Sequence, residues 1–74
     1  MSHAEDAAGH LAQTIAARRK DLGLTQEELA ALAGVSTRFL SSLEGGKPTA
    51  RLSTVLAVLD ALGLEVTIAP RRTA

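Results

Sequence analysis

The stretch TQEELAALAGVSTRFLSSLE, residues 25–44, decides the fold of this chain. Its first residue, Thr25, is followed three residues later by Glu28. This is the spacing of a capping box, in which each side chain accepts a hydrogen bond from a free backbone N–H of the other residue at a helix start. The pattern predicts a short helix over Gln26–Ala33. Gly34 then supplies the left-handed conformation that a sharp turn requires.

A second short helix is predicted directly after the turn. The hydroxyl oxygen of Ser36 can accept a hydrogen bond from a free backbone N–H and so act as an N-cap. This favours a helix of about two turns over Thr37–Glu44. Two short helices joined by a tight glycine turn meet the geometric needs of a helix-turn-helix. Ala30 is small enough for the second helix to cross close to the first. An ordinary helical hairpin with a glycine turn is the alternative.

Apolar residues at steps of three and four predict one helix on each side of this pair. Leu11, Ile15 and Leu22 give residues 7–22 an apolar side that ends at Gly23. After a loop rich in Gly and Pro, a fourth helix is predicted to stop at Gly63. Its apolar positions are Leu52, Val55, Leu56, Leu59 and Leu62.

The segment LEVTIAP, residues 64–70, has a different period. Leu64, Val66 and Ile68 alternate with the polar residues Glu65 and Thr67, which predicts a short β-strand with one buried face. A lone strand leaves its backbone groups unpaired, and the sequence shows no second strand. We therefore expect the strand to pair with the same strand of a second chain and form a dimer. The alternative is an extended segment folded back on its own bundle.

A chain of 74 residues makes one small domain. The predicted organisation is a flexible N-terminus over residues 1–6, a helical domain over residues 7–63, the dimerising strand over residues 64–70 and a basic tail over residues 71–74. Phe39 is the single aromatic residue. The core must therefore be built almost entirely from Leu, Ala, Val and Ile, which suits closely packed helices.

Composition and spacing argue against catalysis, metal binding and membrane insertion. The chain has no cysteine, and His3 and His10 lack the i, i+4 spacing that holds a metal. No histidine stands where it would activate a Ser or Thr nucleophile. No apolar run approaches the roughly 20 residues that cross a bilayer. We therefore expect a soluble cytoplasmic protein that is not an enzyme and uses no cofactor.

The elements I15…R19, GLTQEELA, GVS, L40 and LEGGK resemble the phage-repressor-like helix-turn-helix family of the Xre/Cro type. The resemblance implies an all-α, lambda-repressor-like bundle of four to five helices that binds double-stranded DNA. It also implies an ion pair between Arg19 and Glu44. Such a pair accounts for a charged residue within the apolar side of the first helix, because inward charges are rarely left unpaired.

In this family the second helix of the pair enters the major groove, where base edges offer hydrogen-bond partners rather than net charge. The resemblance places the base contacts at Thr37, Arg38 and Ser42. Free backbone N–H groups at the start of the preceding helix favour a DNA phosphate. The phosphate contacts that we expect are Thr25, Gln26, Ser36, Ser41, Lys47 and Thr49.

The formal net charge is zero, with eight Lys plus Arg and eight Asp plus Glu. A neutral total argues against a nonspecific polycation but permits a local basic patch. If Arg19 neutralises Glu44, the DNA-facing side carries Arg38 and Lys47, with Arg51 or Arg18 beside them. The neutral total then conceals a basic face.

The stretch RLSTVLAVLDALGLEVTI, residues 51–68, resembles the end of HipB-type antitoxins. These are DNA-binding autorepressors that neutralise HipA-type kinase-like toxins, and their strand pairs across the dimer. The resemblance implies a homodimer on a palindromic operator, a HipA-like kinase partner and a location at the bacterial nucleoid. Two alternatives stay open: a stand-alone phage-like repressor without a toxin partner, and a protein-interaction module that has lost DNA binding.

Overall fold

A computed structural model describes residues 3–47 and 49–71 of the chain. Within these ranges the chain forms four helices: α1 His3–Asp21, α2 Gln26–Ala33, α3 Thr37–Glu44 and α4 Leu52–Ala61. The predicted all-helical bundle is confirmed, and α2 and α3 begin and end at the residues that their caps predict. None of the described helices is both long and apolar enough to cross a bilayer.

The first helix starts earlier than the sequence predicts. α1 begins at His3, four residues before the start at Ala7 that the apolar pattern predicts. Glu5 and Asp6 lie in its first turn, where the positive end of the helix dipole favours negative charge. The apolar period has no large residue before Leu11 and therefore gives no signal for this turn. Residues 1–2 and 72–74 of the predicted termini lie outside the described residues.

The start of α2 has the predicted capping box. The N–H of Glu28 donates to Thr25 Oγ1 at 3.0 Å, and the N–H of Thr25 donates to Glu28 Oε1 at 2.8 Å. The hydrogen bond from the Thr25 N–H, with a smaller contribution from the nearby Thr25 hydroxyl, holds the pKa of the Glu28 carboxyl below its usual range. The two residues satisfy two N–H groups that a helix start otherwise leaves without acceptors.

The turn between α2 and α3 depends on one glycine and one serine. Gly34 has a φ of 72°, a conformation that costs other L-residues free energy. The N–H of Val35 then donates to the carbonyl of Ala30 at 3.0 Å. Ser36 Oγ accepts from the N–H of Phe39 at 3.0 Å and caps α3. The turn therefore holds α3 in a set orientation against α2.

The core lies where α2 packs against α3 and α4 and where α3 packs against α1. Its largest fully buried side chains are Ile15, Leu29, Leu40, Val58 and Leu62. Ala30 is 2% exposed, consistent with the close helix crossing predicted there. Leu52 and Leu56, predicted on the apolar side of α4, are instead exposed, because α4 buries only the narrower stripe formed by Val55, Val58 and Leu59.

The segment after α4 differs from the sequence prediction. Among the described residues no β-strand is formed, and residues 64–70 have no regular secondary structure. Leu64 packs against the core, whereas Val66 is 54% exposed and Ile68 is 94% exposed. The predicted strand is therefore not formed in the single chain, and of its three apolar residues only Leu64 is packed there. A strand needs a neighbour for its backbone groups, and the described chain supplies none.

Candidate nucleic-acid interface

α3 presents a polar side to solvent and an apolar side to the core. Leu40 and Leu43 are buried, while Thr37, Arg38 and Ser41 are exposed. Ser42, the third predicted base contact, is half-buried at the edge of the exposed side. Every residue of α3 is described, and its exposed side carries hydroxyl groups and one guanidinium but no carboxylate. Such a surface can donate and accept hydrogen bonds without repelling a polyanion.

The carboxylate of α3, Glu44, is turned inward and binds Arg19 of α1. Arg19 Nε donates to Glu44 Oε2 at 2.8 Å, and Arg19 Nη2 donates to Glu44 Oε1 at 3.0 Å. The two side chains are 12% and 7% exposed, respectively. Arg19 Nη1 donates to the carbonyl of Leu24 at 2.8 Å. The ion pair therefore joins α1, the loop before α2 and the end of α3.

The pair keeps both groups ionised. Burial alone would raise the pKa of the Glu44 carboxyl, but hydrogen bonds from Arg19 and Gln26, with the positive charges of Arg19 and Lys20, outweigh burial and lower it. The hydrogen bond to Glu44 raises the pKa of the Arg19 guanidinium, against the opposite effect of burial. Glu44 is therefore a hydrogen-bond acceptor at neutral pH and adds no free negative charge to the surface.

Gln26, a predicted phosphate contact, is the first residue of α2 and is half-buried. Its Nε2 donates to Glu44 Oε1 at 3.2 Å. The structure therefore brings together Arg19, Glu44 and Gln26, which come from three different helices. Nothing in the sequence indicated the bond between Gln26 and Glu44.

The remaining predicted phosphate contacts surround α3. Thr25 and Ser36 are exposed N-cap residues whose hydroxyl oxygens accept backbone N–H groups. A hydroxyl that accepts one bond still has its hydrogen to donate. Lys47 and Thr49, in the loop after α3, are exposed, and the N–H of Lys47 donates to the carbonyl of Ser42 at 3.4 Å. This bond attaches the start of the loop to α3.

Arg18 and Arg51, which were also expected near the DNA-facing side, differ in their surroundings. Arg18 Nε donates to the carbonyl of Leu62 at 3.0 Å, so the end of α4 engages its side chain. Nothing in the sequence indicated this role of Arg18 at the end of α4, and its place on the DNA-facing side stays a prediction. Arg51 is exposed at the N-cap of α4. Within the described part of the chain no group of three His, Cys, Asp or Glu residues is placed to hold a metal.

The sequence of the chain is similar to those of known proteins. The family described as Helix-turn-helix matches residues 15–68, which include α2, α3 and α4. The chain is 52% identical over 50 residues to the uncharacterized HTH-type transcriptional regulator y4mF of Sinorhizobium fredii strain NBRC 101917 / NGR234, covering 68% of this chain and 66% of that protein. It is 44% identical over 46 residues to the uncharacterized HTH-type transcriptional regulator y4dJ of the same strain, covering 62% and 60%.

A third relative comes from Haemophilus influenzae strain ATCC 51907 / DSM 11121 / KW20 / Rd. This uncharacterized HTH-type transcriptional regulator is 35% identical over 54 residues, which are 73% of this chain and 55% of the relative. The chain thus spans between about half and two thirds of the length of these relatives.

Proposed function

This chain belongs to the helix-turn-helix family, and on that premise we propose that it is a sequence-specific transcriptional repressor that binds double-stranded DNA at the bacterial nucleoid. The observation that carries the proposal is the exposed side of α3, which holds Thr37, Arg38 and Ser41. The carboxylate of the same helix, Glu44, is turned inward and neutralised by Arg19. A polar side with one cation and no opposing charge suits the major groove.

Sequence recognition is assigned to Thr37, Arg38 and Ser42. Arg38 is exposed at the second position of α3, where its guanidinium can bind guanine O6 and N7 together. Thr37 can place its methyl group against a thymine methyl, and Ser42 offers a short hydroxyl at the edge of the surface. These contacts discriminate between bases through hydrogen-bond pattern and shape, so they need few charges.

Affinity is assigned to phosphate contacts around α3. Gln26 and the N-cap residues Thr25 and Ser36 lie at the starts of α2 and α3, where free N–H groups and the helix dipole favour an anion. The exposed residues Ser41, Lys47 and Thr49 extend this set along α3 and the loop after it. Such contacts position the protein and carry no sequence information.

We extend the proposal to a homodimer in which residues 64–70 of two chains pair as antiparallel strands. Val66 and Ile68 are exposed apolar residues, and a cleft of about 370 Å³ bounded by Leu11, Leu59 and Leu64 lies beside this segment. Burying these groups against a second copy would stabilise the dimer. Two copies related by a two-fold axis then bind a palindromic operator.

Residues 51–68 resemble the end of HipB-type antitoxins, and on this likeness we propose that the repressor is the antitoxin of a HipA-type kinase toxin and represses the operon that encodes both. A tagged chain should then co-purify with a kinase-like protein encoded by an adjoining reading frame. If no such frame exists, or if its product does not co-purify, a stand-alone phage-like repressor is the better description.

The DNA-binding proposal is tested by selection from a random-sequence duplex library. Purified full-length protein should enrich an inverted repeat and should shift that duplex in a gel, with an affinity that falls as salt rises. Gln13→Ala, on the exposed side of α1, is a control that should bind as tightly as the parent. Helical, monodisperse protein that retains no duplex at any salt concentration would overturn the proposal and favour a protein-interaction module.

A further inference from the structure

The Glu44 carboxylate accepts hydrogen bonds from two side chains, those of Arg19 and Gln26. Both of its oxygens accept from Arg19, at 2.8 Å for Oε2 and 3.0 Å for Oε1. Oε1 also accepts from Gln26 Nε2 at 3.2 Å. Gln26 opens α2 and Glu44 closes α3, so this hydrogen bond joins the two ends of the helix pair that the proposed function places against DNA.

A carboxamide can hydrogen-bond to a carboxylate only through its NH₂ group. An ionised carboxylate only accepts, while a carboxamide has one accepting oxygen and an NH₂ group with two donors. Glu44 therefore selects the NH₂ edge of Gln26. One Nε2–H is engaged and the second is left for another acceptor. If the carboxamide were free to turn over, its oxygen would face an approaching phosphate in part of the population, and two hydrogen-bond acceptors cannot bond each other.

We propose that Glu44 is a positioning residue for DNA binding, which orients the carboxamide of Gln26 so that its second Nε2–H meets a phosphate of the DNA backbone. This inference rests on the proposed function. Arg19 contributes indirectly to this orientation, because it holds both oxygens of the Glu44 carboxylate in place. The hydrogen bond also restricts the rotamers of Gln26 before DNA arrives, so less side-chain entropy remains to be lost on binding.

The variant that separates orientation from folding is the double substitution Arg19→Met with Glu44→Met. Apolar residues of similar length replace the ion pair, which leaves no charge buried without a partner. The bond to Gln26 is lost while the packing is kept. Circular dichroism and chemical denaturation establish that this variant is folded.

Nuclear magnetic resonance reports the orientation without DNA. The chain contains two carboxamide side chains, Gln13 and Gln26, and no asparagine, so the NH₂ signals are assigned by substitution of one residue. In the parent, the two Nε2 protons of Gln26 should be well separated in chemical shift and exchange slowly with solvent, unlike those of the exposed Gln13. In the double Met variant the Gln26 signals should approach those of Gln13. Identical Gln26 signals in the two proteins would show that Glu44 does not orient the side chain.

DNA binding supplies the second readout, with a duplex that the parent protein selects from a random-sequence library as the probe. Gln26→Ala should weaken binding by about three- to tenfold in the parent, the effect of one lost hydrogen bond to a charged group partly offset by water. In the double Met background the same substitution should have little effect, because the carboxamide is already unoriented. Gln13→Ala should change nothing in either background.

The outcomes separate this inference from the proposed function. Parent protein that retains no duplex overturns both. If the parent binds and Gln26→Ala has no effect, or weakens binding by the same factor in both backgrounds, the inference fails while the repressor proposal stands. If Glu44 only stabilised the fold, Gln26→Ala would weaken DNA binding by the same factor in the parent and in the double Met background.

Discussion

Arg19 and Glu44, which are 25 residues apart, form a two-point ion pair, with Nε 2.8 Å from Oε2 and Nη2 3.0 Å from Oε1. The pair closes the bundle by joining the end of α1 to the end of α3, and it removes a negative charge from the helix proposed to meet DNA. Its two side chains are 12% and 7% exposed. Stability and surface charge therefore depend on the same contact.

Replacing one partner should destabilise the fold. Glu44→Ala is expected to lower the free energy of unfolding by about 2 to 4 kcal/mol, because it leaves the guanidinium of Arg19 without its partner. Urea denaturation of Glu44→Ala measures the loss. In a double-mutant cycle built from Arg19→Met and Glu44→Met, the double variant should lose less than the two single variants together. Strictly additive losses would show that the two residues are not coupled.

Acid should weaken the fold through Glu44. Its pKa is lowered in the folded chain despite the opposing effect of burial, so the ionised carboxylate favours folding. This contribution is fully present above the ordinary pKa of a glutamate and is lost as the pH falls through the lower folded value. Urea denaturation over this acidic range should show stability decreasing towards low pH. The Arg19→Met, Glu44→Met variant should show a shallower decrease; an equally steep one would assign the effect to other carboxyls.

Arg38→Ala should reduce sequence preference as well as affinity. Loss of a bidentate contact to guanine is expected to cost about 1 to 3 kcal/mol at one base pair and to leave that position unselective. Helical content should not change, because Arg38 is exposed and outside the core. Repeating the duplex selection with the variant tests both points. An unchanged consensus with unchanged affinity would place Arg38 away from the bases.

Lys47→Ala should behave differently. Lys47 is exposed in the loop after α3, and a lysine that meets a phosphate contributes equally to every sequence. Affinity should fall by a similar factor on the selected operator and on unrelated duplexes. The slope of log K against log salt should become shallower by about one for each chain. A loss confined to the selected operator would mean that Lys47 reads a base.

The dimer proposal predicts one register. A two-fold axis through Val66 places Val66 opposite itself and Leu64 opposite Ile68 of the other chain, so that these three large apolar residues are paired on one face. The chain has no cysteine. Val66→Cys should therefore form a disulfide between two chains under mild oxidation, and the linked dimer should still bind the palindrome.

Thr67→Cys is the matched control for this register. Its partner would lie two positions further along the opposite strand, beyond the reach of a disulfide. Non-reducing electrophoresis of both variants gives the comparison. Linkage of Thr67→Cys in preference to Val66→Cys would shift the axis by one residue and contradict the proposed face.

The helix-turn-helix itself was predictable because its signals are local. Thr25 and Glu28 are three residues apart and bond each other, and Ser36 caps α3 through the N–H of Phe39 at the same separation. Gly34 adopts the left-handed conformation that the turn needs. Contacts within one turn of helix are favoured by these residue types at these spacings, whatever the rest of the chain does.

The sequence was less informative about the sides of the helices and the segment after α4. The apolar stripe of α4 includes Leu52 and Leu56, yet these residues are 70% and 42% exposed. The apolar side of α4 is wider than the surface of the bundle that it packs against. The sequence therefore does not indicate which of its apolar residues are buried. Alternation at residues 64–70 indicated a strand, but backbone pairing requires a neighbour that the described chain does not contain.

By itself, the sequence determined the helices, the glycine turn and the exposed polar side of α3, because spacing along a helix dictates which residues share a side. Only the tertiary structure decided that Arg18 binds the end of α4 and that Gln26 donates to Glu44. The first contact joins residues 44 apart and the second joins residues 18 apart. No local pattern encodes such a separation, since it depends on how the helices pack and bring their ends together.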